Sequence, residues 1–261
     1  SRDIEKIVLN AAKKLNVKLE EGLEKKIASY TIEGRRAVNI LADAYGHAIY
    51  GLEGEVPEDL EITSKDLNEV VSIGRFTPYE ILENLEEKEV GHVYGLGVSG
   101  YLGSTIEIEA TAFKAKKKGA GKIRFNDTAG SMAKDSVFNA ASVIRKITDI
   151  DINDYDIHVN VIGGGKIDGP SAGAAITICI ISALTERPIR QDVAITGEIS
   201  LRGNIKPVGG IFEKIYGARR KGIKLVAIPK DNEKEVPLGL EDIEVKSISH
   251  IEELMEIVFE K

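Results

Sequence analysis

Apolar residues in the first part of the chain recur at helical spacing. Ile4, Ile7, Val8 and Ala11, followed by Leu15, fall on one side of a helix. A second helix is predicted over 20–30. A third follows Gly34 and carries Ala37, Ile40, Leu41, Ala44 and Tyr45 on one side. An acidic loop with Pro57 comes next, and then Thr63 and Ser64 offer N-cap oxygens to a last short helix over 65–73. Four short helices predict a small all-α bundle over residues 1–74.

Beyond Gly74-Arg75-Phe76-Thr77-Pro78 the period changes. Residues 104–113, STIEIEATAF, alternate as a half-buried strand does, and so do 157–161. Short apolar strands are predicted at 193–195, 225–228 and 243–245, with helices over 132–146, 171–184, 211–221 and 250–259. The alternation of the two patterns predicts an α+β fold, a mixed α/β domain over 75–261 behind the helical one.

Composition sets outer limits. With 43% hydrophobic and 30% charged residues, the 261-residue chain can bury a core. A formal net charge of −7 argues against a nucleic-acid partner, which needs a basic face. The single cysteine, Cys179, allows no intrachain disulfide and reads as core. No run of about 18 apolar residues occurs. The charged, amphipathic start lacks a signal-peptide core, so a cytoplasmic protein is expected.

Two stretches carry candidate chemistry. Gly163-Gly164-Gly165-Lys166-Ile167-Asp168-Gly169-Pro170-Ser171-Ala172-Gly173 is a glycine-rich loop running into a helix. Pro170 suits the first helical position. Ser171 then lies where backbone N–H groups have no intrahelical partner and can hold an oxyanion. A plain loop with a capping serine has the same residues. In the second stretch, Lys214 follows Gly209-Gly210 at the opening of a helix. Alone, it reads as a solvated lysine.

Taken together, DGPSAGAAI at 168–176, TGEISLRG at 196–203 and KPVGGIFEK at 206–214 resemble the proteolytic domain of Lon proteases. The resemblance implies a domain of the ribosomal protein S5 domain 2-like type, with Ser171 as nucleophile and Lys214 as general base. It implies that Thr196 orients Lys214 and that N–H groups near Gly169 and Ser171 hold the oxyanion. Pro170 opens the helix, Asp168 shapes the loop, and Glu198 is a supporting neighbour. Gly91-His92-Val93-Tyr94-Gly95-Leu96, Thr128-Ala129-Gly130-Ser131-Met132 and GIKLVAIP at 222–229 extend the likeness over 75–261. One departure is Asn160, where the family often has a second histidine after the one matching His158. The loop before Asp168 is slightly short, as in the LonB-like subtype.

A useful base must be neutral, whereas a free lysine titrates near pH ~10.4. Burial against Val208, Ile211, Phe212 and Ile215 is expected to depress Lys214, with Glu198 and Glu213 pointing elsewhere.

The N-terminal helices resemble the small α-helical lid of an AAA+ module. Gly34-Arg35-Arg36-Ala37-Val38-Asn39 is similar to its sensor-2 segment, which implies that Arg35, or else Arg36, faces a nucleotide's phosphates. No G-x-x-x-x-G-K-[ST] motif is present, so a lid plus peptidase without the ATPase core is expected. The resemblance implies no cofactor and no metal for peptide hydrolysis, with ATP and Mg²⁺ acting in the full-length enzyme. It implies unfolded protein or peptide substrates and a hexameric ring, and leaves open a membrane anchor outside this sequence. The alternatives are a non-proteolytic Lon-like scaffold and a GHMP-type small-molecule kinase, whose related fold holds phosphate at a glycine- and serine-rich loop.

Two motifs are set aside. Gly95-Leu96-Gly97-Val98-Ser99-Gly100 fits a dinucleotide fingerprint but leads into a strand pattern. Asp149, Asp151 and Asn153 begin like a calcium loop, but Asp154 stands where its glycine belongs.

Overall fold

The computed structural model describes the chain except residues 1, 32, 51, 53–55, 58, 75, 77, 79–81, 83–84, 100–101, 127–130, 163–168 and 260–261, and the side chains of 2, 99, 102 and 131–134. The chain forms two compact units, Ser1–Glu80 and Ile81–Lys261.

The first unit contains α1 (Arg2–Leu15), β1 (Lys18–Leu19), α2 (Leu23–Ser29), α3 (Gly34–Ile49), β2 (Glu61–Ile62) and α4 (Ser64–Ile73). Ile4, Val8, Leu23, Ile27, Ile40, Leu41 and Leu67 make its core, as helical spacing dictates. Two details differ from the sequence reading. A parallel ladder pairs β1 with β2, and α2 is shorter than the 20–30 prediction. Gly22 before α2 is left-handed, at φ 80°, which breaks the helical path. The Glu20 carboxylate instead accepts from the backbone N–H and, at 2.9 Å, the hydroxyl of Ser64. It thereby caps α4, whose N-cap Thr63 also donates its N–H to Asp66 at 2.9 Å.

The second unit contains β3 (Lys88–Glu89), β4 (His92–Ser99), β5 (Leu102–Lys114), β6 (Ile123–Phe125), α5 (Ser131–Thr148), β7 (Tyr155–Ile162), α6 (Gly173–Thr185), β8 (Ile189–Arg190) and β9 (Val193–Ile195). There follow β10 (Glu198–Ile199), β11 (Ile205–Lys206), α7 (Ile211–Arg220), β12 (Leu225–Pro229), β13 (Glu244–Ile248) and α8 (Ile251–Val258). A seven-stranded mixed sheet runs β13-β12-β9-β4-β5-β7-β6. Strands β4, β9, β12 and β13 are parallel, and β5 is antiparallel to both its neighbours.

Alternation along the central strands explains the layers. Val93, Val193, Ile195, Leu225 and Ala227 face one way and pack with α5, α6 and α8. Tyr94, Leu96, Ala194, Val226 and Ile228 face the other way and pack with Ile211, Ile215 and Ala218 of α7. Strands covered on both faces read as continuous apolar runs. Helix α6 is apolar all round because every residue from Gly173 to Ser182 is buried. Cys179 lies there fully buried, and burial pushes its thiol up. The calcium-like segment is an acidic turn in which Asp151 accepts from the Asn153 N–H at 3.0 Å. Among the described residues, no helix is long and apolar enough to cross a membrane.

Helix α7 lies unusually close to β5. A Cβ on Gly217 would sit 2.4 Å from the carbonyl carbon of Gly103, and a Cβ on Gly103 would sit 1.7 Å from the Glu213 carbonyl oxygen. Two glycines thus set the depth of the helix on the sheet. In a free helix, alanine is favoured over glycine by about 1 kcal/mol. The overlap is expected to reverse that preference, so that Gly217→Ala destabilises the fold by about 1–3 kcal/mol. Urea unfolding of the variant measures this, and a stabilised variant would mean that the helix rides higher on the strand.

Candidate active site

The serine turn differs in one respect from the predicted helix over 171–184. Residues Pro170–Ala172 form a 3₁₀ turn, and α6 proper starts at Gly173. The reason is a competing partner. In a continuous α-helix the Ala174 N–H would bond to the Pro170 carbonyl. Here the Gly173 N–H takes that carbonyl, and the Ala174 N–H bonds to Gly197 O at 3.0 Å. The Gly197 N–H returns a bond to Ser171 O at 2.9 Å. This pair of bonds fastens the serine turn to the segment that contains Thr196. Gly169 and Gly209 both have open space where a Cβ would stand, so extended chain can approach there.

Lys214 comes from the other face of the sheet. Gly210 caps α7 in the left-handed conformation, at φ 72°, and its carbonyl accepts the Lys214 N–H at 2.9 Å. A Cβ there would meet Val98 at 2.7 Å. Lys214 is only 3% exposed, and its Nζ donates to Thr196 Oγ1 at 3.1 Å. Thr196 is itself fully buried, held by a bond from its N–H to Ala227 O at 3.0 Å.

Burial lowers the Lys214 ammonium from 10.5 to about 8, and no carboxylate contributes to that shift. Of the four residues expected to wall it, Ile211 and Ile215 are fully buried and Val208 is half-buried. Phe212 is a correction, because it is 54% exposed and packs on Tyr216 at 4.6 Å. Two residues along a helix turn about 200° around its axis, so Phe212 points away from Lys214.

Ser171 and Lys214 line one cavity of about 500 Å³. Glu198 adds a carboxylate to the lining, while Val98, Pro170, Pro207, Val208 and the two glycines 209 and 210 make the rest of it apolar. Val98 and Pro207 were given no role by the sequence, although Pro207 lies within KPVGGIFEK, because an apolar lining residue carries no chemistry of its own to mark it.

Asp168 lies outside the described residues. Arg35 is in the first unit, exposed in the first turn of α3, while Arg36 stacks over Phe76 at 4.9 Å. Asn160 is on the exposed face of β7 and donates to Glu109 at 3.0 Å.

The Lon protease (S16) C-terminal proteolytic domain family matches residues 61–261. The chain is 36% identical over 268 residues to Lon protease 2 of Bacillus subtilis, covering 97% of this chain and 47% of that protein. It is 40% identical over 190 residues to an archaeal Lon protease of Pyrococcus abyssi, covering 71% and 19%. It is 34% identical over 252 residues to a Lon protease of Vibrio parahaemolyticus, covering 92% and 30%. The chain thus spans about half, or less, of the length of these relatives.

A buried lysine with a lowered pKa changes stability with pH in a defined direction. The unfolded chain holds the proton up to pH 10.5 and the folded chain only up to about 8, so stability rises with pH between the two. Below about 8 the burial penalty is fully present. Lys214→Met is therefore expected to melt higher than wild type at pH 7, with the gap narrowing from about pH 8 to 10.5. Thermal melts across that range test this, and a constant gap would place the charged amine in water.

Proposed function

The chain belongs to the Lon protease (S16) C-terminal proteolytic domain family, and we propose that it hydrolyses peptide bonds with Ser171 as nucleophile and Lys214 as general base. One observation carries the reading: the buried Lys214 amine rests on the Thr196 hydroxyl in the cavity that Ser171 lines. A lysine held near pH 8 is neutral in a useful fraction of molecules close to neutrality.

Neutral Lys214 takes the Ser171 hydroxyl proton as Oγ attacks the peptide carbonyl. The negative oxygen that forms is held by backbone N–H groups in the first turn after the N-cap Gly169, where helical geometry supplies no intrahelical acceptor. The protonated Lys214 gives its proton to the leaving amine. Water then attacks the acyl-enzyme, with the same amine as base. Thr196 accepts from Nζ and keeps the amine's orientation without fixing a positive charge, as a carboxylate would. Asp168 belongs to this proposal as a loop-shaping residue, and Glu198 as the acidic residue of the cavity lining.

The proposal extends to the longer protein of which such a domain forms part. There, unfolded proteins or peptides would be the substrates, copies would form a hexameric ring, and ATP with Mg²⁺ would drive unfolding. The first unit would be the AAA+ lid, with Arg35 as its sensor. Arg35 offers a nucleotide one guanidinium, and the sequence has no phosphate-loop motif. No step of peptide hydrolysis passes through ATP.

Cleavage of casein or a short fluorogenic peptide by the chain tests the reading. Ser171→Ala and Lys214→Ala are each expected to abolish turnover with the fold intact, and the double variant to be no worse than either. The kcat/KM of wild type should rise with pH through about 8 and then level off. Normal turnover by either folded single variant would remove the dyad. A peptide boronate should inhibit and a thiol-alkylating reagent should not, because Cys179 is fully buried.

A further inference from the structure

Much of the apolar wall of the cavity is a segment with few side chains to anchor it. Residues 207–210 connect β11 to α7 and comprise a proline, a valine and two glycines. Pro207 has no N–H to donate, and Gly209 and Gly210 have no side chains to anchor. One residue supplies what the segment lacks. Asn232, in the 3₁₀ turn Lys230–Glu235 after β12, is 3% exposed. Its Oδ1 accepts the Val208 N–H at 2.9 Å, and its Nδ2 donates to the Val208 carbonyl at 2.9 Å. The second Nδ2 proton goes to Glu235 Oε1 at 2.6 Å. Both Nδ2 partners are acceptors and the Oδ1 partner is a donor, so only one orientation of the amide satisfies all three.

The side chain therefore holds Val208 as a neighbouring strand would, by both of its backbone groups. Val208 lines the cavity, and Lys214 begins six residues further on, past the cap of α7. We propose that Asn232 is a positioning residue for substrate. By clamping the Val208 backbone, it fixes the wall of residues 207–210 against which a bound peptide rests, and this rests on the peptidase reading above. A wall meets the ground state and the transition state alike, so its loss appears in KM more than in kcat. Lys214 has its own anchors, the glycine contacts of α7 and the Thr196 hydroxyl, so its titration should not follow the wall.

The test uses Asn232→Asp and Asn232→Ala in the full 261-residue chain. Aspartate keeps the shape and the acceptor but loses both donors, leaving the Val208 carbonyl and Glu235 facing a carboxylate. For a short fluorogenic peptide, KM is expected to rise about tenfold, what loss of one or two buried hydrogen bonds would give. The midpoint of the pH profile should stay near 8. Glu235→Gln keeps an acceptor for Nδ2 and should change KM less than about twofold, which separates the Val208 clamp from its support. A folded Asn232→Asp variant with unchanged KM would overturn the proposal. So would a loss confined to kcat with the midpoint moving toward 10.5, since Asn232 would then be acting on Lys214. Amide exchange of the wild-type chain gives an answer that needs neither a folded variant nor turnover. The Val208 amide should exchange slowly, and exchange at the rate of free peptide would overturn the clamp. Failure of wild type to cleave any peptide would count against the peptidase reading, while Val208 exchange would still report on the clamp.

Discussion

Burial of one amine organises this unit. An ammonium taken out of water without a carboxylate beside it is strongly disfavoured, and Lys214 meets that constraint by giving up its proton more readily. The burial exists because α7 presses onto β5 at two glycines, Gly103 and Gly217, that leave no room for a Cβ between them. A helix held farther out would let water reach Nζ and return the amine toward the ordinary lysine range. Close packing of backbone on backbone is thus converted into the acid–base character of the amine.

The serine is held by a different device. Its turn sits at the start of the most buried helix of the unit, and two backbone bonds to Gly197 keep it from winding into that helix. Thr196, the neighbour of Gly197, accepts from Lys214. One dipeptide therefore touches both halves of the site, the serine turn through the backbone and the lysine through a hydroxyl. Because β9 pairs with both β4 and β12, that dipeptide stands at the end of a central strand, where its position is well determined. The proposed catalytic groups, from two faces of a sheet, are brought into register by the strand between them.

Much of this was legible in the sequence, in proportion to how local each signal is. Helices α1, α3, α5, α7 and α8 follow from apolar spacing, and β9 and β12 from uninterrupted apolar runs that mean burial on both faces. The two-residue ladders of β1 with β2 and of β10 with β11 are too short to leave a period. The motif residues Ser171, Thr196 and Lys214 stand out as types in a pattern, and the structure brings them to one place. Phe212 was misjudged because adjacency along the chain was read as adjacency in space, which a helix denies at a separation of two. Asn232 could not be seen at all. Its partners are the backbone of Val208, 24 residues away, and backbone groups have the same chemistry at every position.

The same physics separates the peptidase from the other uses of such a fold. A small-molecule kinase needs a phosphate site, and a phosphate favours lysines that stay charged and surroundings free of acid. Here the lysine is tuned toward neutrality by aliphatic packing, the wall is Val98, Pro207 and Val208, and the acidic Glu198 lines the same cavity. A dianion would be repelled by the carboxylate and offered a poor cation. A scaffold without chemistry fares no better as an account. A buried lysine lowers stability at neutral pH, and replacing it with an aliphatic residue would remove that penalty at no cost to packing. Retaining both the amine and its hydroxyl partner in an open cavity makes sense where a neutral amine must accept a proton, which is what an acyl transfer through Ser171 requires.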